Sequence, residues 1–148
     1  MELRVLGGLA RVEESDTTEF LEWARAEGAE LFLSAVVLDE IARAPEDLFR
    51  KLRDVIANVR PTVLPLDDEA ERLATAYTTM GALPPAKTED AQHVAIAVVN
   101  ELDILVSWNY RHLVNVRRRE AIQHISAMKG YYKPLHIVAP PEVPDARW

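Results

Sequence analysis

Apolar residues form two nearly unbroken runs along the chain, at 31–37 and 103–107. Neither run alternates with polar residues, which is typical of strands buried on both faces of a parallel sheet. We therefore expect both runs to be central strands. Shorter strand candidates lie at 3–6, at 62–66, where Pro65 favours an edge position, and at 135–138.

Between these candidates, apolar residues recur at helical spacing and polar residues stand where helix ends are expected. A capping pair, Asp16 with Glu19, predicts a helix that ends at Gly28. A short helix after the run at 31–37 is interrupted by Pro45, and another stops before Pro61. Three more helices are expected, one capped near 67–68 and stopping at 81, one capped at 88, and an arginine-rich one at 117–130.

Strands that alternate with helices predict a parallel sheet, because parallel neighbours need crossover connections. The fold class that we expect is α/β, a three-layer α/β/α sandwich with a central parallel sheet. The 148 residues suit one domain spanning 1–148. No internal repeat or linker divides the chain.

Composition and charge exclude several classes of protein. With no cysteine, the chain has no disulfide, no thiolate catalyst and no cysteine-ligated zinc. The net charge of −7 argues against wholesale wrapping of nucleic acid, although it allows a carboxylate-rich metal site beside a local basic patch. No apolar run approaches the roughly 20 residues that a membrane helix needs, so we expect a cytoplasmic protein without a membrane partner.

Three oxygen-bearing side chains are expected at the carboxyl edge of the sheet. Glu40 follows the run at 31–37, Asp90 opens the helix that leads to the run at 103–107, and Asn109 follows that run. Ligands of open parallel sheets bind at this edge, and Mg²⁺ takes oxygen ligands. This set suits metal-assisted phosphodiester hydrolysis. The alternative for each acid taken singly is a structural role in the first turn of a helix.

Three segments resemble the PIN-domain proteins, and among them the VapC-like toxins of toxin–antitoxin pairs. They are "SAVVLDEIARAP", "KTEDAQHVAIAVVNELDILVSWNYRHLVN" and "LHIVAPPEV". The resemblance covers about residues 16–143. It implies a Mg²⁺- or Mn²⁺-dependent endoribonuclease in which Glu40 and Asp90 hold the metal and Asn109 contributes an outer ligand. It also implies an antitoxin protein as partner and a homodimer.

The front of the chain departs from the family pattern. The first strand of the family ends in an aspartate that anchors the metal, and here the corresponding place offers Gly7 and Gly8. Either the first strand is missing or it is degenerate, lacking its acid. We therefore expect weak metal binding and RNA cleavage that is slow or absent, and the alternative function is a non-catalytic PIN-like interaction module.

The remaining candidates are basic side chains near the expected site. Arg111, His112 and Arg117 belong to the one concentrated positive patch of the sequence, which suits RNA phosphates. His93 follows Asp90 by three residues on the same helix face and is a candidate to touch RNA or to hydrogen-bond the acid. The alternatives are a solvated helix face for the arginines and a satisfied, partly buried histidine.

Overall fold

The computed structural model describes residues 4–7, 23–24, 26–106 and 115–138, and within them it shows a mixed α/β fold built on five short strands. The strands are β1 (Arg4–Gly7), β2 (Glu30–Ser34), β3 (Thr62–Leu64), β4 (Ile104–Val106) and β5 (His136–Val138). They pair in the order β3-β2-β1-β4-β5, and every pair is parallel. The predicted parallel sheet is confirmed.

Both long apolar runs contribute strands to the middle of the sheet. The order puts β2 and β4 on either side of β1, and puts β3 and β5 at the edges. The edge position of β3 agrees with the proline that follows it at Pro65. The strand predicted at 3–6 is present as β1, and it pairs with β2 and β4 in the centre of the sheet.

The helices of the described residues connect these strands. They are α1 (Ala35–Ala42), α2 (Glu46–Val59), α3 (Asp68–Thr79), α4 (Thr88–Val99) and α5 (Val116–Met128), with a 3-10 turn at Pro85–Lys87. Trp23, Ala24, Ala26 and Glu27 are also helical. The predicted stop at Gly28 is confirmed, since its φ is 65° and the Ala29 N–H donates to the Ala24 carbonyl. The predicted cap at Asp16 and Glu19 lies outside the described residues.

The apolar run at 31–37 is only partly a strand, which corrects one prediction. The strand ends at Ser34, and α1 begins at Ala35. The Ser34 hydroxyl accepts a hydrogen bond from the Val37 N–H, so it caps the helix and ends the strand. A continuous apolar run cannot by itself separate a strand from a buried helix, which is why the pattern missed this boundary. Glu40 therefore lies inside α1, not directly after a strand.

One predicted helix start also needs correction. Thr88 is not the cap of α4 but its first residue, and its hydroxyl donates backwards to the Pro85 carbonyl at 2.8 Å. The 3-10 turn precedes α4 directly, and the Thr88 hydroxyl bonds to a carbonyl of that turn instead of capping the helix. Helix α3 ends at Thr79 with Met80, which is 48% exposed, as its C-cap, in agreement with the predicted stop at 81. The predicted cap of α3 is confirmed, since Asp67 accepts from the Ala70 N–H at 2.8 Å.

Apolar side chains project from both faces of the sheet and pack into separate clusters. On β2, Phe32 joins a core with α3, α4 and α5, whereas its neighbour Leu33 joins a second core with α1 and α2. On β4, Leu105 joins the first core, while Ile104 and Val106 form a third cluster with Trp23 partly buried against it. This alternation follows from the two-residue period of a strand. None of the helices in the described segments is long and apolar enough to cross a membrane.

Candidate functional site

The centre of the carboxyl edge carries no acid on β1. Gly7 is the last residue of β1, and it pairs with Leu33 of β2 and Val106 of β4. The first strand is therefore not missing but ends in glycine at the place where the resemblance led us to look for an aspartate. Among the described residues, the polar side chains at this edge come from the elements beside β1.

Ser34 ends β2 and is a polar residue with no exposed surface. Its hydroxyl oxygen accepts from the Val37 N–H at 3.1 Å and lies 2.9 Å from Nδ1 of His93 on α4. A buried hydroxyl is costly unless it is hydrogen-bonded, and here it has two partners. Ser34 thereby links the strand, the start of α1 and α4.

His93 contacts an acid, but the acid is Glu40. Nε2 of His93 lies 3.2 Å from Oε1 of Glu40, while Nδ1 is engaged by Ser34. The two side chains are 13% and 17% exposed, so this is a mostly buried contact. Both ring nitrogens of His93 are thus used within the protein, and neither is open to a phosphate in this arrangement.

The second carboxyl oxygen of Glu40 receives no hydrogen bond from a described donor. This oxygen, Oε2, is buried and has no hydrogen-bond partner among the described residues. A buried carboxylate oxygen without a partner carries a desolvation cost that a bound cation or donor would relieve. One oxygen is a single donor, and the described residues around it do not complete a metal-binding group.

A second carboxyl group lies beside Glu40. Glu89, in the first turn of α4, accepts a hydrogen bond from Arg43 at 3.1 Å. The Arg43 hydrogen bond lowers the pKa of Glu89 from its ordinary value, and a side-chain hydrogen bond between Glu89 and the Glu40 carboxyl lowers it further. Arg43 also donates to the Asp39 carbonyl, so it ties the end of α1 to the start of α4.

Asp90 is the buried acid of the first turn of α4. It is 6% exposed, one of three buried polar residues in the described part of the chain. An acid in a first turn interacts favourably with the positive end of the helix dipole. The position of Asp90 agrees with its structural alternative, and its role as a ligand stays a prediction.

The predicted set of three ligands is not assembled by the described residues. Within residues 4–7, 23–24, 26–106 and 115–138, no group of three acids or histidines is arranged to hold a metal ion. Asn109, the third predicted ligand, lies outside those ranges, as do Arg111 and His112. The complete set stays a prediction.

Arg117 lies in the first turn of α5 and is exposed. It lines a groove of about 530 Å³ together with Arg118, Pro84 and Pro85. The two prolines belong to the segment that leads into α4, whose first turn carries Glu89 and Asp90. No residue of α4 itself is among the residues that line the groove.

Sequence reasoning missed three residues of this site, namely Ser34, Arg43 and Glu89. Ser34 was detectable, since a lone serine inside an apolar run is a common helix cap. Glu89 was hidden by its neighbour Asp90, which the family pattern favoured. Arg43 carried no signal, because a single arginine on a short helix is ordinary.

Comparison with known proteins adds no relative. No protein-family model, no curated protein and no solved structure matches this chain. The function proposed below therefore rests on the geometry of the site and on the sequence resemblance.

Proposed function

We propose that this chain is a PIN-like ribonuclease of the VapC-like kind that hydrolyses RNA phosphodiester bonds with the help of Mg²⁺ or Mn²⁺. The observation that carries the proposal is the buried Oε2 of Glu40, which has no hydrogen-bond partner among the described residues. It belongs to the helix that follows β2, at the edge of a parallel sheet where ligands of such folds bind.

The topology supports the fold part of the proposal. All five strands are parallel, and the chain adds β2 and β3 on one side of β1 and β4 and β5 on the other, so the switch point, where ligands of such sheets bind, lies between β1 and β4. Apolar cores on both faces of the sheet favour a three-layer α/β/α sandwich of the PIN type.

Glu40 and Asp90 are the residues that would hold the cation, with Asn109 as an outer ligand. Such an ion, when bound, polarises the phosphoryl group and neutralises charge that develops on its oxygens. Glu40 would offer Oε2, since Oε1 already faces His93. Glu89 is held by Arg43, which favours a supporting role for that carboxylate over direct ligation.

RNA binding is assigned in the proposal to the basic residues at the start of α5. Arg117, Arg118 and Arg119 lie in the first turn of that helix, where the dipole disfavours cations. An RNA phosphate would offset that cost and pair with the guanidinium groups. Arg111 and His112, just ahead in the sequence, extend the same basic segment.

A second candidate function is a non-catalytic PIN-like interaction module. It is favoured by Gly7, which ends the central strand where the family carries a metal-anchoring aspartate. Losing one carboxylate weakens the attraction for a cation. The two candidates therefore differ in whether Glu40 and Asp90 suffice to bind a metal.

The partners in the proposal are an antitoxin protein and a second copy of the chain. The apolar side of α2 is not wholly free for pairing, because Leu48, Phe49 and Ile56 pack against the core cluster of Leu33. A dimer interface would therefore combine the exposed part of α2 with surfaces of other elements. Sedimentation at micromolar concentration tests it, and a monomer alone would count against pairing.

Thermal unfolding with added cation tests the proposed metal site. Mn²⁺ should raise the melting temperature of the wild-type chain, because a ligand of the folded state stabilises it in proportion to ln(1 + [L]/Kd). The rise should be smaller for Glu40→Gln and for Asp90→Asn. Glu71→Gln, an exposed acid of the first turn of α3, is the matched control and should respond as the wild type does. An equal rise in all four proteins would contradict the assignment.

A further inference from the structure

We propose that Arg43 binds a phosphate of the RNA strand beside the candidate site, through a guanidinium that the protein already holds in place. The inference rests on the proposed function, and it extends the RNA contact from the start of α5 to the end of α1. It requires no metal ion. Two hydrogen bonds hold the Arg43 side chain, which stays exposed next to the acids at the start of α4.

These two hydrogen bonds fix the direction of the guanidinium. Nε of Arg43 donates to the Asp39 carbonyl at 3.2 Å, and Nη2 donates to Oε1 of Glu89 at 3.1 Å. Arg43 is the C-cap of α1, whereas Glu89 lies in the first turn of α4. A guanidinium has more N–H groups than these two bonds use, so donors remain for a ligand. A planar group held in this way is pre-organised to meet a phosphate with two parallel hydrogen bonds.

The ion pair leaves the guanidinium accessible from solvent. The side chains of Arg43 and Glu89 are 66% and 52% exposed. An ion pair this exposed contributes little to stability, because water competes for both charges. A phosphate can therefore bind the outer donors of Arg43, or displace Glu89 from it, at little cost to the fold.

Arg43 also places a positive charge next to a group of acids. The first turn of α4 carries Glu89 and Asp90, and the Glu40 carboxyl is hydrogen-bonded to Glu89. An acid-rich surface repels a phosphodiester, and a cation at the same place offsets that repulsion. His93 does not meet the phosphate, because both of its ring nitrogens are engaged inside the protein.

The arginines of α5 lie next to the same segment of chain. Arg117 and Arg118 line a groove together with the prolines at 84–85, which precede α4. Arg43 meets the chain a few residues later, at Glu89. An RNA strand that follows this segment would therefore find arginines near both of its ends. Several phosphate contacts in a row fix the position of a strand on a protein.

The alternative is that Arg43 only ties α1 to α4, and two substitutions separate the roles. Arg43→Gln and Glu89→Gln both break the same hydrogen bond. If the bond is only structural, the two changes should affect RNA binding alike. If Arg43 binds phosphate, Arg43→Gln should weaken binding about tenfold, the effect of losing a hydrogen bond to a charged group. Glu89→Gln releases the guanidinium and should bind RNA at least as tightly as the wild type.

Fluorescence anisotropy with a short labelled RNA of mixed sequence measures these affinities. EDTA is present throughout, so neither a bound cation nor cleavage affects the result. In a salt series, Arg43→Gln should reduce the slope of log K against log [salt] by about 0.7, the value for one contact to a single strand. The ion pair of Arg50 with Glu46 on α2 is the matched control, because it is similarly exposed. Arg50→Gln and Glu46→Gln should both bind as the wild type does.

The outcomes distinguish this inference from the proposed function. Equal affinity and salt slope in wild type and Arg43→Gln would overturn the role of Arg43 and leave the ribonuclease standing. Equal weakening in Arg43→Gln and Glu89→Gln would also overturn it, in favour of a structural tie. Weakening in Arg43→Gln alone, in a chain that cleaves no RNA with Mn²⁺, would support the phosphate contact and contradict the ribonuclease. No RNA binding by the wild type would overturn both.

Urea unfolding reports whether each variant is folded. If Arg43→Gln is not folded, Arg43→Lys replaces it in the comparison. Lysine keeps the positive charge but lacks the planar fork, so Arg43→Lys should still weaken RNA binding. Affinity equal to that of the wild type in a folded Arg43→Lys would contradict a bidentate contact.

Discussion

Nε2 of His93 lies 3.2 Å from Oε1 of Glu40, which joins α4 to α1 across 53 positions of sequence. The same ring reaches Ser34 at the end of β2, so one side chain connects three elements at the carboxyl edge of the sheet. The site is thus held together by polar contacts between residues that are distant in sequence.

Ser34→Ala should destabilise the protein more than the loss of a helix cap alone. Removing a capping side chain costs about 0.5–2 kcal/mol. Here the change also leaves Nδ1 of His93 without its partner in a mostly buried place, which adds about 1 kcal/mol or more. Urea unfolding measures the difference against Asp67→Ala, which removes the exposed side-chain cap of α3. Equal losses in the two variants would mean that the contact with His93 contributes little.

The buried pair of Tyr77 and Ser126 should respond asymmetrically to mutation. The Ser126 hydroxyl donates to the Ile122 carbonyl at 2.6 Å, so Tyr77 donates to Ser126 at 2.7 Å. Tyr77→Phe removes the donor, so no buried hydroxyl is left without an acceptor. Ser126→Ala removes the acceptor and leaves the buried Tyr77 hydroxyl without one. Ser126→Ala should therefore cost about 1–3 kcal/mol and Tyr77→Phe about 1 kcal/mol or less. The opposite order in urea unfolding would contradict this assignment of donors.

The ion pair of Arg43 and Glu89 should give a small, pH-dependent stabilisation. The pKa of Glu89 is lowered in the folded state, chiefly by the Arg43 hydrogen bond, so the pair stabilises the protein above the ordinary carboxyl value of about 4.5. The stabilisation is lost as pH falls through the lowered pKa. Because both side chains are more than half exposed, we expect only about 0.2–1 kcal/mol at pH 7. Glu89→Gln should show this deficit at pH 7 and match the wild type near pH 2, as followed by urea unfolding. A deficit that persists at pH 2 would point to lost packing instead.

Much of the sheet could be predicted because its signals are local. The runs around Phe32 and Leu105 contain few polar residues, which predicts strands in the interior of the sheet. Pro65 predicts an edge position for the adjacent strand, β3. The boundary at Ser34 could not be placed in the same way, since helix α1 begins as apolar as the strand before it. The cap bond to Val37 is what separates the two elements.

The site was less predictable because its contacts are distant in sequence. Spacing along α4 suggested Asp90 as the partner of His93, three residues away. The fold brings Glu40 to the ring instead, together with a serine 59 positions earlier in the chain. Helical spacing gives the face of a residue, but the neighbour that packs on that face depends on the whole sheet.

Cleavage of RNA by the unaltered chain decides between the two candidate functions. In single-turnover assays with a labelled RNA, we predict slow cleavage that requires Mn²⁺ or Mg²⁺ and is abolished in both Glu40→Gln and Asp90→Asn, with Glu71→Gln as active as the wild type. Complete inactivity with either cation would favour the non-catalytic module. Brisk Mg²⁺-dependent cleavage that survives both substitutions would contradict the proposed site, because the catalytic groups would then lie elsewhere.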